Sequence, residues 1–146
     1  PPFTHIPLAE ARHEAALRQL ALRAGLVLPA AAPGRFGSAE VQQRYDDLLA
    51  LGLASADGAL RAAAFVEEVD IADLRTQVTT TDIAALKEVA AALETASGHH
   101  LGAFAGLLAA RGMVYTPQVL AADEYQAILD GGRTMGRGRG RGCGRG

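Results

Sequence analysis

Glu10 and His13 stand three residues apart in a stretch whose apolar residues Ile6, Leu17, Leu20 and Ala24 recur with a helical period. Both side chains therefore project from one helix face, toward the apolar side. A carboxylate and an imidazole one turn apart can reach a single cation without distorting the backbone, and helical-bundle metal sites take paired ligands from one helix in this way. Glu-x-x-His is common by chance, and it gains force from two further residues. With Leu60 at zero on a helical wheel, Ala64, Glu67, Ile71 and Leu74 fall within about 40° of it at about 100° per residue. His100 lies on the stripe Leu86, Val89, Leu93, Ser97, His100, Phe104 and Leu107. A lone charge on such a face costs several kcal/mol. Four such residues on three helices satisfy one another by meeting, and a divalent cation at their centre is the simplest way to hold two carboxylates together. Asp70, one turn after Glu67, is a fifth candidate, as ligand or as partner to a ligand.

Each residue also has a plainer reading. Glu10 and His13 could pair on a helix surface, Glu67 could bridge to Arg61 or Arg75, and His100 could be a core histidine bonded to a backbone carbonyl. His99, opposite His100, is expected in solvent, and Glu94 on the surface.

The elements that must position these residues are all helices. The first is expected over about Ile6 to Ala24, stopped by Gly25. Pro29-Ala-Ala-Ala-Pro33-Gly34 reads as a linker, and Ser38 caps a shorter helix over about Ala39 to Leu51, ended by Gly52. A third helix is expected over about Ala56 to Gln77. Thr79-Thr80-Thr81-Asp82 supplies the cap for a long helix from Asp82 to about Ala110, ended by Gly112. Gly98 inside that helix costs about 1 kcal/mol relative to Ala, which points to a neighbouring helix passing close by. After Thr116-Pro117 a last short helix covers about Gln118 to Leu129. Ala-rich apolar content with 5% aromatic residues suits closely packed helices, and 146 residues suffice for one core.

The segments HIPLAEARHEAALRQLALRAGL, AAFVEEVDIADLRTQVTTTDIAALKEVAAALETASGHHLGAFAGLL and YTPQVLAADEYQAIL resemble a branch of the ferritin-like, rubrerythrin-like superfamily. The resemblance is most specific around Glu67-Glu68-Val69-Asp70-Ile71 and from Ser97 to Phe104. It implies an all-α, ferritin-like four-helix bundle over residues 1–130, here three long helices and two short ones, that binds a di-iron or other dimetal centre. Glu10, His13, Glu67 and His100 match its ligand pattern. Two departures matter. Ser97 stands where a second Glu-x-x-His would place a carboxylate, so one iron or other divalent ion is expected in preference to two. The first bundle helix, which would contribute another carboxylate, has no counterpart after Pro1. Three long helices then leave an apolar groove, to be filled by the short helix over residues 39–51, by a separate helix, or by a second copy in a homo-oligomer.

Charge divides the chain sharply. All sixteen acidic residues lie within residues 1–130, against nine basic ones, while residues 131–146 carry five Arg and no acid. That Gly/Arg tail, with Cys143 as the chain's single cysteine, is expected to be disordered and mainly solubilising. Contact with nucleic acid is expected only through it, and it lacks the aromatic residues that stack bases. An internal disulfide is excluded, and the compartment, cytoplasmic or exported after N-terminal processing, is not set. The chain starts at Pro1-Pro2 without an initiator Met, so upstream residues are expected to have been removed or omitted. No apolar run reaches membrane-spanning length, so a soluble protein is expected. No nucleophile with a base, phosphate-binding loop or zinc Cys/His spacing is present. Three functions remain open: an iron-dependent oxidoreductase of ferroxidase or peroxidase type, a non-catalytic structural or self-assembling bundle with a vestigial metal site, and an interaction module acting through the tail.

Overall fold

The structure, a computed structural model, describes residues 2–28 and 32–137, with side chains over 5–28 and 32–131. It contains five helices, α1 (Pro2–Arg23), α2 (Ala39–Ala54), α3 (Ala56–Thr80), α4 (Ala84–Ala110) and α5 (Ala122–Arg137), and no strand among the described residues. None of these helices is long and apolar enough to cross a membrane.

Local chemistry sets the ends. Gly25 and Gly112 adopt left-handed backbone, with φ of 73° and 74°. That turn lets the Leu26 and Met113 N–H groups donate back to the Ala21 and Leu108 carbonyls, closing α1 and α4. Ser38 and Ser55 cap α2 and α3 by accepting from Val41 and Gly58 N–H. α2 runs past Gly52, where a stop is expected, and a single residue, Ser55, separates it from α3. α3 also outlasts its expected end: the Thr81 N–H still donates to the Gln77 carbonyl, so the last turn closes through Thr80, and the Thr79 and Thr80 hydroxyls bond carbonyls three and four residues back. α4 begins only at Ala84, and Thr81 accepts from the Ile83 N–H in the turn before it.

α3 and α4 form an antiparallel hairpin that is the centre of the fold. Asp57 at the start of α3 pairs with Arg111 just past the end of α4, and Arg75 near the other end pairs with Glu94. Leu60, Ala64, Ile71, Leu101, Phe104 and Leu108 fill the seam, closed at one end by Tyr115, Leu120 and Tyr125. The buried face of α4 is turned from the expected stripe: Leu101 and Leu108 are fully buried and Leu107 is exposed. α4 packs against α3, α1 and α5, so its apolar surface wraps further around the axis than a two-helix stripe.

α2 packs on α3, and α1 and α5 pack on α4. α5 starts four residues later than expected, for a reason found at Glu68 below, and continues beyond Gly131-Gly132 to Arg137. Residues 138–146, the greater part of the expected tail including Cys143, lie outside the described residues.

Candidate metal centre

Three helices deliver one polar side chain each to the same point. Glu10 comes from α1, Glu67 from α3 and His100 from α4, and ligand atoms from all three lie within 4.8 Å of one another. His100 Nδ1 is 3.0 Å from Glu10 Oε1 and 3.3 Å from Glu67 Oε1. Glu10 Oε1, Glu67 Oε2 and His100 Nδ1 are buried and none has a partner in good hydrogen-bond geometry, although Glu10 Oε1 and His100 Nδ1 lie within ion-pair distance of each other. Neighbouring donors on an octahedral ion with bonds of about 2.1 Å are separated by about 3.0 Å. The His100 spacings match donors that share a cation, and equally N–H···O contact distances, so the burial of the three groups and not their spacing alone points to an ion. Mixed carboxylate and imidazole donors fit iron, manganese or zinc.

The surroundings bias these groups in opposite directions. Burial, then the negative charges of Glu10 and Asp70, raises the Glu67 pKa to about 8, with a hydrogen bond from Ser97 pulling the other way. Burial lowers the His100 pKa, which favours the neutral imidazole that a metal requires. A cation between the carboxylates would remove their mutual repulsion.

The remaining expected ligands lie around this triad. His13 Nδ1 is 3.1 Å from the second Glu10 oxygen, Oε2, and its ring stacks on His100 with centroids 6.2 Å apart. That contact orients the Glu10 carboxylate. Asp70 is outside the three-atom cluster, and burial followed by Glu10 and Asp73 raises its pKa to about 6. Ser97, 2% exposed, takes the place one turn before His100. A groove of about 660 Å³ borders the site, lined by Glu10, His13, Asp70, Ser97, Leu74 and Leu93. The arginines that could have neutralised Glu67 are engaged elsewhere: Arg75 with Glu94 and Glu124, Arg61 with the Val114 carbonyl. Glu94 is consequently only 30% exposed, held in an ion pair and not free on the surface.

Glu68, not among the expected ligands, is 0% exposed. Its carboxylate accepts from the Tyr115 hydroxyl and from the backbone N–H groups of Gln118, Val119 and Leu120. These bonds fix residues 118–120 in a bend, and α5 does not begin at Gln118. It begins at Ala122, with Glu124 reaching back to the Ala121 N–H. Two adjacent carboxylates at the apolar edge of a helix are the sequence signal for such an anchor, beside a Pro-containing segment whose N–H groups need acceptors.

Residues 2–132 match the family described as uncharacterized protein domain DUF2202. The chain belongs to the DUF2202 family. This DUF2202 domain is 33% identical over 106 residues to uncharacterized protein MJ0754 of Methanocaldococcus jannaschii, a match covering 73% of the chain and 57% of the relative. The chain thus spans little more than half the length of the curated relative it matches. The crystal structure of hypothetical protein MJ0754 from Methanococcus jannaschii DSM 2661 superposes with a TM-score of 0.84 at 30% identity, covering 88% of this chain and 75% of that one.

Proposed function

We propose that this DUF2202 domain binds one divalent transition-metal ion, iron or manganese, through Glu10, Glu67 and His100, on a bundle of ferritin-like descent. The observation that carries the reading is the convergence of Glu10, Glu67 and His100 from three helices, each with a buried polar atom that lacks a partner in good hydrogen-bond geometry. Buried polar atoms without partners are rare, and a shared cation satisfies all three together. Glu10 would be held by His13, with Asp70 beside it as an outer partner or as a further ligand. Three protein ligands leave coordination positions open, and iron held so would supply one-electron chemistry of the ferroxidase or peroxidase type.

Ser97 favours a second reading, a non-catalytic bundle in which the metal serves structure or assembly. A serine one turn before His100 withholds the carboxylate that a two-metal centre would use. Elemental analysis by inductively coupled plasma mass spectrometry separates these readings when paired with oxygen and peroxide turnover assays. About one iron or manganese per chain, lost in His100→Ala and Glu67→Gln, supports the site. Turnover then supports the oxidoreductase, and its absence supports the structural role. No metal retained after anaerobic loading would sink both.

A further inference from the structure

α1 is weakly attached to the rest of the fold. None of its described side chains is buried, and among the described helices only α4 is its backbone neighbour. Pro7 interrupts its hydrogen-bond ladder. Grooves open on both flanks. One of about 650 Å³ lies between Leu17, Leu20 and Ala21 and the start of α4 at Ile83 and Leu86. The other, of about 660 Å³, lies between Pro7 and Ala11 and α3 at Leu74 and Gln77. Apart from Ile6, which packs against the core cluster, the polar and ring contacts described between α1 and the hairpin are those of Glu10 and His13 with His100. In the absence of a cation this junction sets the Glu10 carboxylate of α1 against the Glu67 and Asp70 carboxylates of α3.

We propose that a divalent cation held by Glu10, Glu67 and His100 is the clasp that docks α1 onto the α3–α4 hairpin, so that α1 exchanges between docked and undocked states with metal occupancy. The inference rests on the metal-binding reading above. Its structural logic is the uneven division of the ligands: two sit on the rigid hairpin and one on the loosely held helix. Undocking removes Glu10 and uncovers Glu67, His100 and Asp70, so α1 serves as the gate through which the ion enters and leaves. The hairpin is expected to keep its core throughout, because Leu60 and Ile71 of α3 bury against Leu101 and Leu108 of α4, with Ile6 the α1 side chain packed on that cluster.

Hydrogen exchange of the full chain, read by mass spectrometry with Mn²⁺ or with chelator, tests this, while native mass spectrometry counts the bound metal. At Mn²⁺ about 100 times Kd, α1 amides that exchange by undocking are expected to slow by about tenfold to a hundredfold. Amides of α2, which among the described helices packs on α3 and not on α1, are expected to be unchanged. In Glu10→Gln, Mn²⁺ is expected to give α1 no protection. One bound metal with unchanged α1 exchange overturns the clasp and leaves the metal site standing. Equal slowing in α1 and α2, or protection of α1 that survives Glu10→Gln, also overturns it. Failure to bind metal at all overturns the site and the clasp together.

Discussion

Glu67 and Glu68 are adjacent buried carboxylates on α3, and their partners separate their tasks. Glu68 is saturated by a phenol and three backbone N–H groups, whereas Glu67 retains an oxygen with no partner. Glu68→Ala is expected to destabilise the domain by at least about 3 kcal/mol, since it orphans those donors, with Glu68→Gln less costly. Chemical denaturation measures both. Glu67 should dominate the pH response. Its folded pKa of about 8 lies above its ordinary 4.5, so the metal-free fold holds a proton that the unfolded chain has already released. Stability associated with the neutral form is complete below about pH 4.5 and is lost as pH rises through about 8. Asp70, raised to about 6, acts in the same direction over the lower part of that window. The melting temperature of the metal-free protein should therefore fall from about pH 5 to about pH 8, and Glu67→Gln should flatten much of that fall. Metal binding must displace the Glu67 proton, so affinity should rise by up to about tenfold per pH unit and level off above about pH 8. Isothermal titration calorimetry across that range checks the slope. In the same assay His13→Ala, which frees Glu10 Oε2, should weaken binding by about tenfold to a hundredfold.

Helix packing around glycines gives two expectations of opposite sign. A Cβ at Gly58 would collide with the Leu51 carbonyl oxygen, because Ser55 alone joins α2 to α3 and brings their ends together. Gly58→Ala should cost about 1–3 kcal/mol. A Cβ at Gly98 would meet Ile128 Cγ2 of α5 at 3.5 Å, an ordinary contact. The close neighbour inferred from sequence is there, at a distance that still admits a methyl group. Gly98→Ala should then recover up to about 1 kcal/mol of helix propensity, seen as a higher denaturant midpoint. Turn chemistry explains the helix ends that sequence misplaced. The Thr81 N–H closes one more turn of α3 onto Gln77, and the Glu68 carboxylate fixes the bend at residues 118–120 that precedes α5. The second effect spans fifty residues of sequence, beyond the reach of local propensity.

Taken together, the helices cover the α3–α4 hairpin unevenly. Leu22, Leu26, Val27 and Leu53 remain 58% or more exposed. We propose that a second copy of the chain or a separate helix covers them. Light scattering behind size-exclusion chromatography should give a mass at least twice the 15.1 kDa of the chain if a second copy supplies the cover. A monomer would assign that role to another chain.

Amphipathic period, serine caps and glycine stops determined by themselves that the chain is all helical. They also placed Glu67 on an inward face and Glu10 and His13 on one face of their helix. Only the tertiary structure decided which of the five candidate ligands converge. Angular position on a wheel does not fix how far α1 stands from α3, and that distance leaves His13 as a partner of Glu10 and Asp70 outside the triad. It also decided that Glu68, at the edge of the same stripe, serves the fold, because its partners at Tyr115 and Gln118–Leu120 come near only when the hairpin closes.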